Sequence, residues 1–294
     1  MLYDGVEILN CYYCDVATFK SLWKPLIGML CCGMFLGCNH RNEISAEEKA
    51  QIVSLGHGGM GISSSYPLNS MEGLLKCLDL GLDGTELDLQ MTADSVLVAF
   101  HDRDLSEDTE MEGLIRETRW SDLKTAEYIG NLRANCTVVA LEDLFSSIDE
   151  LSKYYFTFDC KLHAGTDDPI NYQTQFARAI SRMLHKFQLG ERIAIESQDV
   201  DFLLLCEQNN PNCAYYIYPS SFMEGFETAT DKALDGITMD FQKISASEIQ
   251  QAHDANLKVA LWNVKSGADN WTAINMKPDF IQSDAPRQLK NALK

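Results

Sequence analysis

The chain has 294 residues, of which 46% are hydrophobic and 23% are charged, so it can bury a substantial core. Length alone allows one or two domains, because α/β barrels often form single units of about 250 residues. The formal net charge of −19 argues against a nucleic-acid-binding protein, which needs a basic surface. An anionic substrate would therefore need a local cation on this chain.

The first 38 residues predict an export signal rather than part of a globular domain. Lys20 and Lys24 precede an apolar run from Pro25 to Gly37, and Cys38 follows it. This is a signal-peptide pattern, whereas a transmembrane helix needs about 20 apolar residues. The Leu-Gly-Cys sequence at 36–38 also resembles a bacterial lipobox, which would make Cys38 the lipidated N-terminus. We therefore expect an exported, membrane-anchored lipoprotein, in the periplasm or at the cell surface; a plain hydrophobic anchor is the alternative.

Residues 39–50 are polar and predict a tether or a short helix, ahead of one domain over 51–294. In that domain, short apolar runs alternate with amphipathic segments of helical length. The strand candidates are 52–56, 84–89, 96–100, 155–159, 193–196, 214–218, 236–239, 259–263 and 280–283. The helix candidates include 71–80, 141–151, 174–187, 200–208 and 247–255. This alternation predicts parallel strands joined by crossover helices.

The number of these units favours a closed (β/α)₈ TIM barrel, since about eight of them fit into about 240 residues. An open, doubly wound sheet is the alternative. The glycines at 56–61 have neither the Walker nor the dinucleotide-loop spacing. Residues 103–140 form the longest segment without periodicity, which we expect to lie as a loop over one barrel rim.

Carboxylates and histidines cluster at the ends of the first strand candidates. His57 follows the first candidate, Glu86 and Asp88 end the second, and His101 follows the third. Because residues i and i+2 of a strand share a face, Glu86 and Asp88 project the same way. Neighbouring carboxylates repel each other unless a cation lies between them, so we expect one divalent cation, Mg²⁺ or Ca²⁺.

The strand candidate at 155–159 extends this pattern. Asp159 ends it and shares a face with Lys161, so Asp159 could complete the metal site and Lys161 could hold a phosphate oxygen. His57 and His101 could serve as the acid and base of phosphodiester cleavage. Each feature alone also fits a core histidine, a solvated strand face or a surface ion pair. Their combination at successive strand ends, where barrel enzymes place catalytic groups, favours an enzyme.

Ordered motifs over about 52 to 290 resemble the glycerophosphodiester phosphodiesterase family. They are His57-Gly-Gly, Asn69-Ser-Met, Glu86-Leu-Asp88, His101-Asp102, Asp159-Cys-Lys161, Leu261-Trp-Asn-Val264 and Ile281-Gln-Ser-Asp-Ala-Pro286. The family's motifs typically read His-Arg-Gly, Glu-Asn-Thr, Glu-x-Asp, His-Asp, Glu-x-Lys, Trp-Thr-Val-Asn and Ile-x-Thr-Asp-x-Pro. The resemblance implies hydrolysis of a small glycerophosphodiester to an alcohol and glycerol 3-phosphate. It also implies site roles: an acid/base pair (His57, His101), metal ligands (Glu86, Asp88, Asp159), a phosphate contact (Lys161) and a pocket-lining aromatic (Trp262).

Two positions depart from the family pattern. Gly58 stands at the substrate-binding position where the family has an Arg that grips phosphate. Asp159 replaces the usual Glu and, with Lys161, is similar to the sphingomyelinase D group of the same barrel superfamily. Two further interpretations therefore stay open: phospholipase D-like cleavage of a lysolipid, and a non-catalytic lipoprotein that binds a phosphate ligand.

Overall fold

Eight parallel strands form the centre of the fold in a computed structural model, which describes residues 44–130, 135–163 and 168–294. The barrel strands are β1 (Val53–Gly56), β2 (Gly84–Met91), β5 (Tyr155–Cys160), β6 (Ile193–Ser197), β7 (Ala214–Ile217), β8 (Gly236–Asp240), β9 (Lys258–Val264) and β10 (Phe280–Ser283). Strand β1 pairs with both β10 and β2, so the sheet closes on itself. The predicted (β/α)₈ barrel is confirmed, and closure rules out an open, doubly wound sheet.

The strand predicted at 96–100 forms, but it is not one of the parallel barrel strands. It forms β3 (Leu97–Ala99), which pairs antiparallel with β2 and with β4 (Val139–Ala140), outside the barrel. The prediction of parallel strands is therefore wrong here, because only a short turn separates β2 from β3 and no crossover helix fits between them. The following residues bury their own small cluster, which includes Phe100, Leu105 and Ile115.

Helices follow the barrel strands and cover their outer faces. The α-helices are α1 (Ala46–Lys49), α2 (Met71–Asp79), α3 (Trp120–Leu123), α4 (Leu141–Ser146), α5 (Pro169–Phe187), α6 (Val200–Asn209), α7 (Phe222–Lys232), α8 (Ala246–Asp254), α9 (Gly267–Asn275) and α10 (Pro286–Leu293). The longest helix, α5, begins after the N-cap Asp168 with Pro169 in its first turn. None of the helices in these described residues is both long and apolar enough to cross a bilayer.

Strand alternation separates an apolar outer face from a polar interior. Leu87 and Leu89 of β2 lie in the large core cluster beneath the helices. Glu86 and Asp88 project the opposite way and are 2% and 1% exposed. Burying two charged carboxylates is costly unless cations accompany them, so the barrel interior holds the site of interest.

Candidate active site

Three carboxylates converge at the carboxyl ends of two neighbouring strands. Glu86 and Asp88 come from β2, and Asp159 lies opposite Asp88 in the pairing of β2 with β5. One oxygen from each carboxylate lies within 4.8 Å of the other two. The structure therefore brings together the three residues predicted as metal ligands.

Lys161 is the cation nearest to this acidic cluster. Its Nζ lies 2.9 Å from Asp88 Oδ1 and 2.6 Å from Asp159 Oδ2. Burial alone would raise the pKa of Asp88, but the attraction of Lys161 and two histidines lowers it. Burial and the charge of Asp88 raise the pKa of Glu86 well above its usual range. One ammonium group thus leaves the cluster with unbalanced negative charge.

The donor set fits a hard divalent cation. Mg²⁺ and Ca²⁺ prefer oxygen ligands, and the close oxygens of Glu86, Asp88 and Asp159 offer three of them. Burial raises the pKa of Asp159 even though Lys161 opposes the shift, as expected for a carboxylate short of positive charge. A divalent ion would supply the charge that Lys161 alone does not.

His57 is held beside this cluster by an acidic partner. Its Nδ1 lies 2.8 Å from Asp284 Oδ1, and its Nε2 lies 4.0 Å from Glu86 Oε2. Burial alone would lower the pKa of His57. The Asp284 hydrogen bond and the charges of Glu86, Asp284 and Asp88 outweigh burial and raise the pKa to about 9. The imidazolium form of His57 is therefore favoured in the folded protein.

His101 stands on the open side of the site. Its side chain is 49% exposed, and its Nδ1 lies 2.7 Å from Asp102 Oδ1. Because an ionised carboxylate only accepts, Nδ1 carries the proton and Nε2 is left free. Both predicted histidines thus have one ring nitrogen held by a carboxylate.

Gly58 positions a metal-ligand candidate with its main chain. Its N–H donates to Glu86 Oε2 at 2.7 Å. Its φ of +52° is in the left-handed region, and an added Cβ would lie 2.8 Å from Leu68 Cδ2. Since position 58 is crowded and left-handed, a long side chain would be strained there.

A groove leads away from His101, Asp159 and Lys161. A cavity of about 850 Å³ is lined by His101, Asp159 and Lys161 at one end and continues to Tyr218. Trp262, the predicted pocket residue, lines an adjoining cavity of about 460 Å³ that also includes Tyr218. The two rings meet edge to face, with centroids 5.4 Å apart. Tyr218 thus lines both cavities, whereas Trp262 is not among the residues that line the cavity beside Asp159 and Lys161.

Sequence reasoning assigned no role to three polar residues around the site. Asn69 Nδ2 donates to Asp88 Oδ2 at 2.7 Å. The backbone of Asn69 is left-handed, with a φ of 63°, which the sequence motif does not reveal. Asp284 lies in the motif at 281–286, but it meets His57 only because β10 pairs with β1 in the closed barrel. Glu196, 1% exposed inside the barrel, accepts from Thr238 Oγ1 at 2.6 Å. Burial and the charge of Asp159 raise the pKa of Glu196 to about 8.

The fold and the site together define a barrel protein whose acidic cluster could hold a cation at the carboxyl ends of its strands. Residues 60–288 match the model of the glycerophosphoryl diester phosphodiesterase family. The chain belongs to that family.

Individual relatives are distant. The chain is 27% identical over 155 residues to the uncharacterized protein YqiK of Bacillus subtilis, covering 52% of this chain and 61% of that protein. It is 25% identical over 140 residues to a glycerophosphodiester phosphodiesterase of Bacillus altitudinis, covering 47% and 55%. Both matches thus span less than two thirds of the relative's length. An Oleispira antarctica phosphodiesterase, solved with its product sn-glycerol-3-phosphate, has the same fold, with a TM-score of 0.71, 19% identity and coverage of 81% and 95%.

Proposed function

We propose that this protein hydrolyses glycerophosphodiesters to an alcohol and glycerol 3-phosphate in a metal-dependent reaction. The observation that carries the proposal is the convergence of Glu86, Asp88 and Asp159 within 4.8 Å of one another. Lys161 and two carboxylate-held histidines flank this cluster. Family membership and the product in the Oleispira antarctica structure support the same chemistry.

Two imidazoles divide the proton transfers in this proposal. His57 is held in its protonated form by Asp284, so it suits the role of the acid that protonates the departing alkoxide. His101 has its Nδ1 proton held by Asp102, so its free Nε2 can accept a proton from the water molecule that attacks phosphorus as the bond to the departing alkoxide breaks. Each transfer typically contributes about 10²–10⁴ in rate.

The remaining charged residues bind the phosphate. Glu86, Asp88 and Asp159 would hold one Mg²⁺ or Ca²⁺ ion, which when bound polarises a phosphoryl oxygen and offsets developing charge. Lys161 reaches the same place from β5 and would contact a phosphate oxygen. The bound ion and Lys161 would supply the local positive charge that a chain of net charge −19 needs to bind an anionic substrate.

Product analysis tests this proposal. Purified protein is incubated with glycerophosphocholine, glycerophosphoethanolamine or glycerophosphoglycerol and Mg²⁺ or Ca²⁺, and products are followed by ³¹P NMR. We expect glycerol 3-phosphate and no persistent cyclic phosphate. If none of the three diesters is cleaved with either ion, the protein is better explained as a non-catalytic binder of phosphate ligands.

The size of the groove favours a second candidate, phospholipase D-like cleavage of a lysolipid. The cavity of about 850 Å³ beside His101 is far larger than glycerol 3-phosphate requires, and Leu162, Tyr172 and Val200 form an apolar part of its wall. Lysophosphatidylcholine added to the same assay distinguishes the two. Faster cleavage of the lysolipid than of any glycerophosphodiester would favour this candidate.

Export and lipid anchoring are proposals for the N-terminal region. The predicted signal segment, its lipobox and Cys38 lie outside the described residues, so the apolar run from 25 to 37 carries the proposal. Radioactive palmitate labelling of cells that express the full chain tests it. We expect label on the wild-type protein and none after Cys38→Ala.

A further inference from the structure

The N–H of Phe100 donates to the carbonyl of Asp88 at 2.9 Å, but the carbonyls of the segment that carries His101 accept hydrogen bonds from side chains. Strand β3 ends at Ala99, and the next carbonyls no longer pair with a neighbouring strand. Gln90 Nε2 donates to the carbonyls of Phe100 and Asp102, at 2.8 Å each. The carbonyl of His101 lies 3.5 Å from the same nitrogen, at the limit of a hydrogen bond. The residue with the chemical role therefore has the weakest support from Gln90.

A third histidine provides the missing contact. His163 Nε2 lies 3.2 Å from the main-chain carbonyl oxygen of His101. Because a carbonyl oxygen only accepts, Nε2 of His163 must carry the proton and donate. His163 lies three residues after the end of β5 at Cys160, so this bond joins the chain that follows the strand of Asp159 to the segment that carries His101.

His163 is itself fixed from the other side. Arg116 Nη1 donates to the carbonyl oxygen of His163 at 3.0 Å, and the Arg116 side chain is only 10% exposed. Arg116 belongs to the segment between β3 and β4. Two hydrogen bonds therefore run in series from Arg116, through His163, to His101, and both ends of this series lie between β3 and β4.

We infer that His163 is a positioning residue that acts on His101 through its main-chain carbonyl, an inference that rests on the proposed function. The imidazole of His101 must lie within hydrogen-bond reach of the proton that it accepts. Without the hydrogen bond from His163 to its carbonyl oxygen, the backbone at His101 would be held less firmly, and the imidazole of His101 would occupy the reactive position less often. Such a fault slows the chemical step but leaves substrate binding by Lys161 and the acidic cluster unchanged.

Two substitutions separate positioning from other roles. His163→Leu removes the donor, whereas His163→Gln keeps a nitrogen donor near the position of Nε2. We expect kcat to fall about tenfold in the Leu variant, the usual effect of losing one hydrogen bond, with KM unchanged. In the Gln variant we expect kcat within about threefold of wild type. His185→Ala, at an exposed position in the last turn of α5, is the matched control and should change neither constant.

The assay measures kcat and KM for a cleaved glycerophosphodiester, with folding checked by circular dichroism. An unchanged kcat in His163→Leu would overturn the inference while the proposed function stands. So would a raised KM at constant kcat, which would mean that His163 contacts substrate directly. A Gln variant as slow as a folded Leu variant would also overturn it. If wild-type protein cleaves no diester, the proposed function fails and the inference fails with it.

Discussion

The charge on His57 can be tested through its partner Asp284. In the wild-type protein, His57 Nδ1 and the N–H of Ile62 both donate to Asp284 Oδ1. The variant Asp284→Asn keeps this oxygen as the acceptor of both bonds. The new amide nitrogen can take the place of Oδ2, which makes no hydrogen bond to the described residues. The substitution therefore removes the charge and changes little of the shape.

The expected magnitude follows from the pKa of His57. Burial alone would lower this pKa, but Asp284, Glu86 and Asp88 raise it from 6.5 to about 9. A difference of that size corresponds to about 3 kcal/mol. Because the folded-state pKa is raised, this stabilisation is fully present below pH 6.5 and is lost as the pH rises through about 9. Loss of a neighbouring charge typically lowers a histidine pKa by about 1–3.

Urea unfolding in the presence of EDTA measures this effect. We expect Asp284→Asn to be less stable than wild type by up to about 3 kcal/mol at pH 6, and the difference to disappear above pH 9. With metal restored, turnover at neutral pH should fall about 100-fold, because the acid is no longer held protonated. Asp279→Asn is the control. Asp279 Oδ2 lies 2.9 Å from His253 Nε2, and neither residue belongs to the acidic cluster. A stability difference that does not change with pH would refute the reasoning.

Three further predictions concern the other residues of the site. His57→Ala and His101→Ala should each lower kcat by at least about 100-fold with an unchanged circular dichroism spectrum; near-normal turnover in either would refute the acid/base assignment. Asp88→Asn should weaken Mg²⁺ or Ca²⁺ binding at least about tenfold in calorimetry, because it removes a charged ligand, and unchanged affinity would place the ion elsewhere. Glu196→Gln should gain stability relative to wild type as the pH rises from about 4.5 to about 8 and keep that gain above pH 8. Burial and Asp159 raise the pKa of Glu196 from 4.5 to about 8 in the folded protein, so in this range the unfolded wild-type chain releases a proton that the folded protein retains. Urea unfolding at pH 6 and pH 9 checks this, and an equal difference at both would contradict it.

Much of the barrel could be predicted because its signals are local. Short apolar runs between amphipathic segments of helical length identified the eight barrel strands. The alternation of side chains along a strand placed Glu86 and Asp88 on the face opposite Leu87. The same alternation predicted that Asp159 and Lys161, which directly follows β5, lie on one side of the strand. These predictions need only the period of a strand and the rule that parallel strands end at one edge.

The remaining features depend on contacts between distant segments. The pairing of Asp284 with His57 joins residues 227 apart in sequence and exists only because β10 lies beside β1. The antiparallel direction of β3 depends on the short turn after β2, which apolar periodicity does not reveal. The left-handed backbone at Gly58 explains why a glycine stands there, and a single sequence gives no φ.

The proposed function depends on one catalytic cation held by Glu86, Asp88 and Asp159. Its most direct test is calorimetric titration of EDTA-treated, dialysed protein with Mg²⁺ or Ca²⁺, with glycerophosphodiester turnover measured on the same samples. We predict one ion per chain and turnover that rises in parallel with occupancy of that site. Full turnover in the presence of excess EDTA, with no ion bound, would contradict the account.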